Sequence, residues 1–121
     1  MVLVTASKLR RLLYLSFIGC VDVHDLIKAS ADVASVLEDV GPGFRLLTDF
    51  ERLESVAVQG AREIGRVMEI CDQKGVSLVV RVIPDPSKDI GMNILALFHY
   101  PHRPRMVTCA SMLEARKALS M

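Results

Sequence analysis

A chain of 121 residues is long enough to bury a core without disulfides or metal, and short enough to form a single domain over residues 1–121. With 51% hydrophobic and 24% charged residues it is no disordered chain, and a formal net charge of +1 argues against a nucleic-acid or membrane-binding surface. Three cysteines, Cys20, Cys71 and Cys109, are an odd count with no CxxC spacing, so reduced thiols in a cytoplasmic protein are expected.

Val2 to Thr5 and Leu12 to Gly19 read as two strands of a hairpin joined by a polar turn around Ser7 and Lys8. The second is apolar at nearly every residue, as a strand covered on both faces should be. Lys8, Arg10 and Arg11 before this apolar run, with Gly19-Cys20 after it, imitate a lipoprotein signal. The run is short and carries Phe17 three places before the cysteine, so a buried strand is the expectation, and it is too short to span a membrane. Asp22 can cap a helix to about Asp39 whose inner stripe is Leu26, Ile27, Val33, Ala34, Leu37 and Val40. Gly41-Pro42-Gly43 stops it.

Phe44 to Thr48 is the next strand, ending in Asp49, and a long helix is expected from about Val56 to Lys74 with Ser55 as its cap. Val56, Gly60, Ile64, Val67, Met68 and Cys71 form its apolar stripe, and Gly75 closes it. Gly60 and Gly65 each cost about 1 kcal/mol of helix propensity, tolerable where the backbone lies close against the sheet. Ser77 to Ile83 is a β-branched strand stopped by Pro84-Asp85-Pro86. Ser87 caps a helix from Lys88 to about His99, a basic loop follows at His102 to Arg105, Met106 to Cys109 is the last strand, and Ser111 caps a final helix with Met112, Leu113, Ala115 and Leu119 as its apolar side. After the hairpin, strand and helix alternate strictly. The fold class is therefore α/β: a single mostly parallel sheet, an N-terminal antiparallel hairpin strand, and helices packed on it.

This order, with Phe44-Arg45-Leu46-Leu47-Thr48-Asp49-Phe50 and Lys74-Gly75-Val76-Ser77-Leu78-Val79-Val80 as its most specific parts, resembles the STAS domain. That family joins sulfate transporters with anti-sigma factor antagonists, and the likeness is to its small stand-alone domains similar to the sporulation anti-sigma factor antagonist. In switching members a strand ends in Asp, and Asp-Ser-Ser-Gly or Asp-Thr-Ser-Gly then opens the helix, its first hydroxyl taking phosphate from a partner kinase. Matched residue by residue, Asp49 stands at the strand-end Asp and Gly60 at the motif glycine, with Ala57, Val58 and Gln59 at the second Asp, the acceptor and the second Ser. A valine cannot accept phosphate. The resemblance therefore implies a non-enzymatic regulatory or protein-interaction domain with no cofactor, with Asp49 an orienting residue and the phosphosite region, Asp49, Ser55 and residues 57–60, degenerate. Ser55, three residues before the acceptor position, is the hydroxyl open to modification there, with a helix cap as its plainer role. Its implied partner is a protein, a kinase-like anti-sigma factor or another regulator.

Other residues admit other chemistry. Asp22, Asp49, Asp85 and Cys109/Ser111 all follow strands expected to be parallel, so they would gather on one sheet edge, where a metal-using enzyme would need them. Caps and turns are the plainer reading. His99 and His102 are separated by Pro101, with no nearby ligand to complete a metal shell. In the Lys88–His99 helix, Ile90, Ile94 and Leu97 make one stripe and Met92, Leu95 and Phe98 a second. A helix apolar nearly all round is buried on more than one side, which makes Met92, Leu95, Phe98 and His99 a candidate partner or homodimer surface. An apolar-ligand carrier with a lipid-sized cavity between helix and sheet is the alternative function.

Overall fold

The computed structural model describes residues 1–57, 59–85 and 99–120. The described strands form one five-stranded sheet in the order β1 (Val2–Ser7), β2 (Leu12–Val21), β3 (Arg45–Val56), β4 (Leu78–Val82), β5 (Arg105–Cys109). β1 pairs antiparallel with β2, and every later pairing is parallel. The described helices are α1 (Val23–Val40), α2 (Gly60–Gln73) and α3 (Met112–Ser120). The Lys88–His99 helix lies outside the described residues except at His99.

The apolar run of β2 is explained by two cores. Leu13, Leu15 and Phe17 face α1 and α2 and join Leu26, Val33, Ile64, Val67 and Cys71 in the larger cluster. Leu12 and Tyr14 face the other way, toward Leu47, Val80, Cys109 and the α3 residue Ala115. On α1 a capping box holds the start: Asp25 N–H donates to Asp22 Oδ1 at 2.8 Å, and Asp22 N–H donates to Asp25 Oδ2 at 3.1 Å. Its buried side differs from expectation at two places. Ala34 is only partly buried. Ile27 is 48% exposed, while Ala29 and Ser30 are buried. Ser30 is tolerated inside because its hydroxyl donates to the Leu26 carbonyl at 3.1 Å. Leu113 of α3 is likewise exposed, and Met112, Ala118 and Leu119 pack beside Ala115.

The largest departure concerns β3, which continues past Asp49 to Val56. β4 ends at Val82, opposite Asp49, so among the described residues only β2 pairs with the rest of β3, down to Val21 opposite Val56. Ser55 is therefore an exposed strand residue beside Cys20 and not a helix cap, and α2 starts at Gly60. Pairing with a long apolar neighbour outweighs a local cap signal here. We expect Asp22→Ala to cost about 1 kcal/mol in denaturant titration, the worth of a cap. Ser55→Ala should stay within about 0.5 kcal/mol of wild type, as exposed substitutions do. A cap-sized loss at Ser55 would contradict the strand placement.

The glycines of α2 do lie close to neighbours, and Gly60 does so against the end of β3 as well as against α1. A Cβ at Gly60 would stand 2.7 Å from Leu26 Cδ1 and 2.9 Å from Val56 Cγ1, and one at Gly65 would stand 2.5 Å from His99 Nε2. Gly60 thus lets α2 approach α1, and Gly65 makes room for a histidine ring. The helix ends in a Schellman turn: Val76 N–H donates to the Cys71 carbonyl and Gly75 N–H to that of Asp72, both at 3.1 Å.

Candidate functional site

The stretch matching the phosphosite follows directly from the long β2–β3 ribbon. Ala57 leaves β3 with its N–H donated to the Val21 carbonyl at 3.0 Å, so the start of α2 sits against the end of β2. Val58 lies outside the described residues. Gln59 is exposed, occupies the N-cap position in helical backbone conformation, and makes no side-chain cap bond. Gly60 is buried, its N–H donated to the Ala57 carbonyl at 2.8 Å. A helix start without a side-chain cap leaves N–H donors for solvent or a partner, and only Glu63 adds an acid to this first turn. No side chain of Ala57, Val58, Gln59 or Gly60 carries a hydroxyl.

Asp49 lies elsewhere. It is 7% exposed and, being next to Thr48 in a strand, points to the face opposite α1 and α2. Its Oδ1 accepts the Glu51 N–H at 2.9 Å, just past Asp49↔Val82, the last β3–β4 pair among the described residues. Its Oδ2 accepts the Tyr14 hydroxyl at 3.2 Å. Burial first, and then the Asp49 charge, push the Tyr14 hydroxyl above its ordinary pKa against a lowering hydrogen bond from Ser16. Asp49 thus holds a backbone N–H of its own strand and anchors a tyrosine within β3, and is not a strand-end residue beside α2.

The acids do not gather. Asp49 is level with Ser16, whereas Asp22 follows Val21 at the far end of the same strand, so roughly 20 Å of strand separates them at ~3.3 Å per residue. Asp85 is exposed beyond the end of β4. Among the described residues no three His, Cys, Asp or Glu side chains come together to hold a metal. The two histidines are used separately. His99 Nδ1 lies 2.6 Å from Glu69 Oε1, and His102 Nδ1 lies 2.6 Å from Asp72 Oδ2, whose other oxygen accepts the His102 backbone N–H at 3.1 Å. Sequence reasoning missed both pairs. The available signal was matched spacing, since each histidine and each acid stands three from its fellow. Of the proposed partner surface, His99 is half-buried on α2, and Met92, Leu95 and Phe98 lie outside the described residues.

Between the sheet and the two helices, the described residues leave a cavity of about 30 Å³, with Leu15, Leu46, Val79, Thr48, Arg81 and Tyr100 in its wall. That is room for about two waters, well short of a lipid chain. The thiols divide clearly. Cys20 is exposed, 3.6 Å from Glu54 Oε2, while Cys71 and Cys109 are buried. Burial pushes the Cys71 thiol up to about 12 and that of Cys109 upward, and both are thereby less nucleophilic. In an Ellman titration, one thiol per native chain should react promptly and two more only after unfolding. Prompt reaction of Cys71 would mean that α2 opens readily.

This arrangement, one mixed sheet with, among the described residues, two helices on one face and one on the other, is the fold of SpoIIAA-like structures. Aligned on the unphosphorylated anti-sigma factor antagonist SpoIIAA, the chain is 20% identical with a TM-score of 0.64, covering 99% of this chain and 98% of the other. A protein of the DUF3478 family with a SpoIIAA-like fold, from Shewanella loihica, gives a TM-score of 0.73 at 14% identity, over 98% and 92% of the two chains. An anti-sigma factor antagonist from Mycobacterium paratuberculosis gives 0.62 at 17% identity, over 100% and 94%. No protein-family model matches the chain, and no curated protein matches it in sequence.

Proposed function

We propose that the chain is a regulatory protein-interaction domain of the anti-sigma factor antagonist kind, one whose binding is not gated by phosphorylation at the usual helix start. The reading rests chiefly on one observation: on the fold shared with such antagonists, α2 begins uncapped, with no hydroxyl at residues 57 to 60. The contact surface is the start of α2, where Gln59 and Arg62 are exposed, with Met92, Leu95 and Phe98 as a second patch on sequence grounds. The partner is a kinase-like anti-sigma factor or a comparable regulator, met in the cytoplasm, and the domain itself catalyses nothing. No described helix is long and apolar enough to cross a membrane.

Affinity capture from the producing cells, with and without ATP, tests this. The expected result is one regulator retained equally in both, no phosphate mass on the chain, and loss of capture with Gln59→Arg while the fold is kept. Phosphate on the native chain, or capture indifferent to Gln59→Arg, would overturn it.

A further inference from the structure

The sheet face opposite α1 and α2 is only partly roofed by the described residues. α3 lies over β4 and β5 and reaches β3, leaving β2 and β1 beside it. Along that border runs a groove of about 510 Å³, within the range of about 300–1,000 Å³ typical of small-molecule sites. Leu12 and Tyr14 of β2 and Leu119 of α3 give it apolar walls. Three arginines from three elements line it as well: Arg10 from the hairpin turn, Arg45 from the start of β3 and Arg116 from α3. Among the described residues lining it there is no Asp or Glu.

Arg45 is the fixed member. Its guanidinium donates to the Leu119 carbonyl and, at 2.7 Å, to the Arg10 carbonyl, so it is positioned by neutral groups, and no carboxylate among the described residues pairs with it. Arg10 and Arg116 are exposed at the rim. Three like charges along one groove repel one another, and an anion relieves that repulsion while accepting charge-assisted hydrogen bonds.

We propose that this groove binds a small carboxylate with an apolar tail, its head held by Arg10, Arg45 and Arg116 and its tail laid on Leu12, Tyr14 and Leu119. The groove lies where β2 and β3 begin, whereas α2 starts beyond their far ends. Ligand binding here and partner binding there can therefore fail independently.

Calorimetric titration of the full chain with octanoate tests the site, with octanol as the probe lacking charge and inorganic phosphate as the probe lacking a tail. Octanoate should bind one per chain, each control at least about tenfold more weakly. The double variant Arg10→Gln/Arg116→Gln should weaken octanoate about tenfold or more with an unchanged melting curve. Arg45 stays in place because it ties β3 to α3. The proposal is overturned if octanoate gives no binding in the millimolar range, if phosphate binds as tightly as octanoate, or if the double variant binds like wild type.

Discussion

Asp72→Ala is expected to destabilise the domain by about 2–3 kcal/mol, seen as a lower denaturant midpoint with an unchanged slope. Asp72 is 5% exposed in the last turn of α2, where the helix dipole disfavours an acid. It is held there by two bonds from one residue, the His102 ring and the His102 backbone N–H. Removing the carboxylate leaves that N–H without its acceptor and loosens the segment leading into β5. His102→Ala should cost less, about 1 kcal/mol, because the ring is 80% exposed and solvent screens it while the backbone bond survives. Asp72→Asn should fall between, since an amide keeps one carbonyl acceptor and can donate to a neutral ring. An Asp72→Ala loss under about 0.5 kcal/mol would show that the tie is incidental to stability.

Gly75→Ala is the second large effect, expected at about 2–4 kcal/mol. Gly75 has φ +88, and a Cβ there would stand 2.9 Å from Pro42 Cβ and 3.3 Å from Pro42 Cα. Retreat is blocked, because its N–H is held by Asp72 and its carbonyl accepts the Gly43 N–H at 2.8 Å. The turn after α2 is thereby locked to the turn after α1. Gly19 is the matching control: its φ is +70, but a Cβ there meets nothing within 4 Å. Gly19→Ala should show the conformational cost alone, about 1–2 kcal/mol. Equal losses at the two positions would mean that Pro42 yields and the turns are not locked.

Both expectations rest on contacts between distant residues, and that is where sequence reading ran short. The hairpin, the capped α1, the glycine that closes α2 and the β-branched β4 were each legible, because period, cap and turn chemistry are local. The end of β3 was not. Ser55 before an apolar residue satisfies a cap rule, yet β2 offers a continuous ladder as far as Val21, and the strand follows it. The same extension moved Asp49 from a strand end to mid-strand and placed it on the face away from α2. The histidine–carboxylate pairs join residues thirty positions apart, beyond any local signal.

The candidate site divides in the same way. That no hydroxyl stands at residues 57 to 60 is a matter of residue identity, readable without a structure. That Arg10, Arg45 and Arg116 share one groove is decided only by parallel pairing of β2 with β3 and by α3 folding back over that face. Sequence by itself therefore determined the α/β class, the element order through β4, and the absence of a hydroxyl at residues 57 to 60, since these follow from side-chain chemistry and short-range periodicity. Tertiary structure decided how far β3 runs, which face Asp49 takes and which charges converge, because strand register and helix placement are set by burial across the whole sheet.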